Sequence, residues 1–178
     1  SYFSYEVDAN TGNASTTHGW STATVVDIAK QNGVRVTLCV TLFSGHATFF
    51  ASSASQQTLI TNLINLIQAK GANGVNIDFV GLPSAQKTAF TNFMVSLCNQ
   101  MHTAIPNSQV SLALYSVDWS GVFDMTTLNQ YVDLFIIMGY DYYYGGSTTA
   151  GPNDPLYHFG TTYTYTLSKS VTYYLSKG

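Results

Sequence analysis

The sequence predicts a parallel α/β fold. Three observations point there: apolar runs with strand-like alternation recur along the chain, helical stripes lie between them, and Gly or Pro closes those stripes. Residues 2–6, YFSYE, read as a short strand, followed by a Gly- and Asn-rich loop to Trp20. Ser21 is the expected cap of a helix to about Gln31, with Gly33 closing it. VRVTLCVTL, 34–42, alternates and is rich in β-branched side chains, which marks a strand. Over 55–70, Leu59, Ile60, Leu63, Ile64 and Ile67 share one helical stripe that ends at Gly71. VNIDFV at 75–80 is the next strand. Ser84 opens a helix to about Ala104 with Phe90, Phe93, Met94, Leu97 and Met101 inward, and Pro106 follows it. VSLALYS, 110–116, and VDLFIIMGY, 132–140, are two further strands around a short helix. A loop rich in Gly, Pro and Thr then leads to a last helix near 164–177.

The 178 residues read as one domain, 1–178, without a repeat or linker, and the 46% apolar content suffices for a sizeable core. Two architectures suit five strands alternating with helices. A doubly wound sheet would be complete at this length, but no Gly-rich phosphate turn follows any strand. An eight-stranded barrel takes ~250 residues and would here show only about five of its strands. Charged residues are 8% of the chain against ~25% in an ordinary soluble domain. With six Lys and Arg in all and a net charge of −3, no phosphate-binding stripe can be built, which argues against nucleic acid and anionic membranes as partners. No run approaches the ~18 apolar residues of a membrane span, and no basic and apolar leader opens the chain. The charge-poor surface rich in Ser, Thr, Asn and Tyr suits an extracellular or cell-surface setting. Cys39 and Cys98 lie in apolar runs and read as small buried hydrophobes; with His18, His46, His102 and His158 they give no metal spacing, so no cofactor is expected.

Chemistry concentrates on the strand around Asp78. Alternation places Val75, Ile77 and Phe79 on one face and Asn76, Asp78 and Val80 on the other. A carboxylate on the inward face is costly unless paired or hydrogen-bonded. Asp78 is therefore either a structural tie between strands or part of a site at their carboxyl ends, where such folds bind ligands. The run Asn73-Gly74-Val75-Asn76-Ile77-Asp78-Phe79-Val80 resembles the signature of the family 18 glycoside hydrolases, the chitinase-type (β/α)8 barrels. Their motif is Asp-Gly-x-Asp-x-Asp-x-Glu. Gly74 and Asp78 match it, Asn73 and Asn76 replace the first two Asp, and Val80 replaces the catalytic Glu. Met138-Gly139-Tyr140-Asp141 is similar to the family's Met-x-Tyr-Asp at the end of the sixth strand, and the loop GGSTTAGPNDPL, 145–156, looks like the one that follows it in bacterial members. One departure is Thr41-Leu42-Phe43-Ser44-Gly45-His46, which stands where chitinases often carry Ser-x-Gly-Gly.

The resemblance implies an incomplete (β/α)8 barrel running from the second strand to the sixth helix. Strands 2–6 and 132–140 would then be uncovered edges, calling for missing chain or another subunit. It also implies recognition of N-acetylglucosamine-containing glycans. In that family Glu protonates the leaving oxygen while the sugar's acetamido carbonyl attacks the anomeric carbon, an exception to the two-carboxylate scheme. Asp78, Tyr140 and Asp141 would hold the acetamide. Asn76, Met138, Tyr115, Trp119, Tyr142 and Tyr143 would contact sugar. Valine has no proton to give, and the one Glu in the chain, Glu6, lies on a different strand. Three readings follow: a chitinase-like pseudoenzyme that binds glycan without cutting it, an active glycosidase with its acid elsewhere or removed, and a scaffold without ligand.

Overall fold

A computed structural model describes residues 1–158, 160–161 and 163–178. Its sheet has six strands: β1 (Tyr2–Val7), β2 (Ala14–Thr16), β3 (Thr37–Leu42), β4 (Gly74–Phe79), β5 (Gln109–Leu114) and β6 (Leu134–Ile137). The spatial order is β2-β1-β3-β4-β5-β6, with β1, β3, β4, β5 and β6 parallel and β2 antiparallel. The parallel strands follow one another in chain order with no reversal. A doubly wound sheet reverses at a switch point, and this one does not, so the sheet is an arc of a TIM-type barrel. The helices are α1 (Thr24–Gln31), α2 (His46–Ala51), α3 (Ser53–Lys70), α4 (Lys87–Ala104), α5 (Met125–Leu128) and α6 (Leu167–Leu175).

Local chemistry sets the element ends. The Ser52 hydroxyl accepts the Ser55 N–H to start α3, and Gly71 at φ 61° ends it. Ser21 does not cap α1: it lies in a 3₁₀ turn, Trp20–Thr22, and Ala23 precedes the helix without a side-chain bond. The strand expected over 34–42 begins at Thr37, because Val36 N–H is taken by the Asn73 side chain before the ladder starts. The strand expected over 132–140 pairs through Ile137, with Met138 N–H still donating to Leu114 O. Two elements have no counterpart in the pattern reading, α2 and β2.

One core lies between the outer face of the sheet and the helices, built on Leu38, Val40, Ile77, Phe79 and Leu112 from the strands and Leu59, Leu63, Ile67, Phe90, Phe93 and Leu97 from α3 and α4. Phe79 and Phe93 stack with centroids 5.8 Å apart, and Phe49 meets both edge-on. Cys39 and Cys98 are free and buried. The expectation of two uncovered edges is corrected for β1, which β2 covers through Glu6↔Thr16 and Val7↔Ala14. A three-residue edge strand leaves little ladder to pair with. β6 has no outer partner among the described residues, and its inward Leu134 and Ile136 stay 45% and 41% exposed.

Candidate functional site

Register delivers the site. Thr41 pairs with Asp78 across β3 and β4, and the backbone of Val80 is held by its N–H to Leu42 O at 3.0 Å. Gly74, at φ 147°, lets β4 and β5 approach; a Cβ there would come within 1.9 Å of Gln109 O. At the carboxyl end of the arc is a cleft of about 390 Å³ lined by Phe3, Phe43, Asp78, Val80, Tyr115, Ser116, Met138, Tyr140 and Asp141. Asp78, Tyr140 and Asp141 thus share one cleft, as do Val80, Met138 and Tyr115.

Among the described residues Asp78 has no tie to the main chain, and its buried Oδ1 has no hydrogen-bond partner; burial raises its pKa above the ordinary carboxylate value. Val80, 38% exposed, forms part of the apolar wall beside it. Tyr115 fixes the turn after β4: its hydroxyl donates to Phe79 O at 2.7 Å and accepts from Leu82 N–H at 2.9 Å. Burial pushes its pKa up to about 12, so it stays a donor. Tyr140 is half exposed, and partial burial, with Asp78 and Asp141 close by, raises its pKa. Asp141 takes a left-handed backbone, φ 57°, and its Oδ1 accepts from Asn153 Nδ2 at 2.8 Å. Asn153 also accepts the Tyr142 N–H on its own carbonyl, so this residue of the 145–156 loop positions the end of the Met-x-Tyr-Asp run.

The other expected residues lie elsewhere. Asn76 is buried beneath the cleft, accepting from Ser111 Oγ at 2.9 Å and facing Cys39. Tyr142 points away into the fold, its hydroxyl 2.7 Å from Ser170 Oγ. Trp119 is 76% exposed against Tyr165, outside the cleft lining. Tyr143 packs edge-on to Tyr163 rather than lining the cleft. His46 is buried at the start of α2 with Nε2 3.3 Å from Leu42 O. Glu6 is held by His18 at 2.7 Å and does not line the cleft. Three lining residues were missed, Phe3, Phe43 and Ser116. The signal for Phe43 was present, an apolar residue just past the inward-facing Thr41, within the run that replaces Ser-x-Gly-Gly.

The sequence profile of the Glycosyl hydrolases family 18 matches residues 4–178. A Bacillus subtilis protein named as a sporulation-specific glycosylase, YdhD, is 25% identical over 118 residues, 65% of this chain and 28% of that one. The Bacillus cereus spore cortex-lytic enzyme SleL superposes with a TM-score of 0.79 at 20% identity, over 99% of this chain and 40% of its own. YKL-39, solved in the presence of chitooligosaccharides (GlcNAc4), superposes at 0.83 with 14% identity, over 99% of this chain and 54% of its own. The chain therefore spans roughly a quarter to just over half the length of these relatives, and at such identities the superpositions establish the fold. Together with the profile match, the geometry of the strand ends places this chain in glycosyl hydrolase family 18.

Proposed function

We propose that the chain recognises N-acetylglucosamine-containing glycans in this cleft and has lost their hydrolysis. The observation that carries the reading is Asp78, Tyr140 and Asp141 lining one cleft in which Val80 occupies the position of the family's proton donor. An acetamide offers one N–H and one carbonyl. The unpartnered Oδ1 of Asp78 is an acceptor for the first, and the hydroxyl of Tyr140, kept protonated, is a donor for the second. Phe3, Phe43, Val80 and Met138 supply apolar wall for the methyl group and the C–H face of the ring. A buried acceptor left unsatisfied costs ~1–3 kcal/mol, which a ligand N–H would recover. A scaffold without ligand has no such use for it.

Hydrolysis is a different demand. A positioned general acid contributes ~10²–10⁴-fold, and a sugar leaving group depends on it. The lining offers two carboxyl groups, Asp78 and Asp141; Asp141 is bonded to Asn153, and Asp78 is needed for the acetamide. Glu6 is engaged with His18. The discriminating experiment follows binding and cleavage of the same N-acetylglucosamine oligomer by titration calorimetry and product analysis. Binding without cleavage is the expected result. Turnover by the Val80 chain that survives Asp78→Ala would overturn the reading.

A further inference from the structure

We infer that Trp119 and Lys169 form a second sugar position, next to the cleft, for a residue that carries a carboxylate. The inference rests on glycan recognition in the cleft and extends it to an acidic glycan. Trp119 meets Tyr165 edge-to-face, with centroids 5.0 Å apart at 63°, and is 76% exposed, so its broad face is open for stacking. Lys169 Nζ lies 4.7 Å from the centroid of the same Tyr165 ring. Beside them is a cavity of about 90 Å³ lined in part by Ser116, Asp118, Thr166, Lys169 and Tyr173. Ser116 lines this cavity and the cleft alike, so the two are neighbours.

The cation is uncommitted. Lys70 pairs with Asp27, while Lys30, Arg35 and Lys87 donate to main-chain carbonyls. Lys169 has no carboxylate partner among the described residues. Asp118, which shares its cavity, spends both oxygens on Ser120 Oγ, Val122 N–H and Phe123 N–H. An ammonium has three donors and the ring occupies one side of it, leaving N–H groups for an incoming anion. An exposed aromatic face stacks a sugar ring and an ammonium takes a carboxylate, so the ring stacks on Trp119 while its acidic substituent reaches Lys169.

The test is calorimetric titration of the full chain at low salt with three tetrasaccharides. One is all N-acetylglucosamine; the others alternate N-acetylglucosamine with N-acetylmuramic acid or with glucuronic acid. An acidic tetramer should bind about threefold tighter than the neutral one, the gain of an exposed ion pair. The arm that shows the preference identifies whether the carboxylate is a lactyl ether or ring-borne. The preference should disappear in Lys169→Met and at ~1 M salt, and persist in Lys169→Arg. Trp119→Ala should weaken all three. Equal affinities in the parent, or a preference that survives Lys169→Met, overturns the inference and leaves recognition in the cleft standing. Failure of all three to bind overturns both.

Discussion

The two faces of β4 belong to one six-residue strand and live under different constraints. Outward, Val75, Ile77 and Phe79 are at most 2% exposed and close against α3 and α4. Inward, Asn76 sits in a polar group with Ser111 and Cys39, Asp78 holds an oxygen with no partner, and Val80, just past the strand, opens to the cleft. The outer face is satisfied in every position and supplies stability. The inner face carries an unmet polar demand at the mouth of a cavity, and such a demand persists where something else meets it. The lesson is that burial alone does not separate core from site, nor does a missing partner by itself. Ser108 Oγ is also buried without a partner and lies outside the cleft, and it is the coincidence of the unpartnered Asp78 oxygen with the cleft that marks the inner face.

The largest expected effect tests the inner face. Val80→Glu should bring cleavage of N-acetylglucosamine oligomers up by ~10²–10⁴-fold over the parent, read by product release. The neighbouring Asp78 carboxylate would raise the new carboxyl's pKa, so activity should fall as pH climbs through that value and the acid loses its proton. No gain, with binding intact, would mean that the acid position is not the missing part. On the outer face, Phe93→Ala should cost ~3–5 kcal/mol in denaturant unfolding while leaving affinity per folded molecule unchanged. A fall in affinity of the folded fraction would break the separation of the two faces.

Tyr115→Phe acts between them. It removes the donor to Phe79 O and the acceptor of Leu82 N–H, at a cost of ~2 kcal/mol in stability, and should weaken glycan binding through the displaced turn that carries Val80. The smallest effect on stability is Asp78→Ala, which should abolish binding and yet stabilise the fold by ~1 kcal/mol at neutral pH. The sign follows from the raised pKa. The folded chain holds the Asp78 proton more tightly than the unfolded chain does, so parent stability falls as pH rises from ~3.9 through the raised value. The variant lacks that fall, so thermal melts should show its gain at pH 7 and none near pH 3. A gain at both, or at neither, would mean that the buried oxygen is not the strained element.

Much of this was legible along the chain, and the reasons are local. The stripe Leu59–Ile67 and the inward set Phe90 to Met101 are period-3.6 patterns, and each is buried as a helix face. The alternation Val75, Ile77, Phe79 fixed which face Asp78 and Val80 occupy, because a period of two admits no other parity. The motif runs likewise put Asp78, Tyr140 and Asp141 at strand ends. The failures were of another kind. β2 is three residues of ordinary polarity and exists through its pairing with β1. Ser21 looked like a cap but entered a 3₁₀ turn around the buried Trp20.

What the sequence determined by itself, then, was the parity of the parallel strands, the order of those strands and the long helices between them, the family and the absence of a carboxylic acid at position 80. Those follow from covalent order and from periodicities that every residue obeys alone. Tertiary structure decided which aromatics serve the cleft. Phe3 and Phe43 entered it, Tyr142 turned to Ser170, Trp119 packed against Tyr165, and Asn153 came 2.8 Å from Asp141 across an intervening loop. An aromatic side chain offers the same apolar area wherever it lies, so its partner is set by how loops close over the strand ends. That closure depends on contacts between residues far apart in the chain, and no local pattern encodes it.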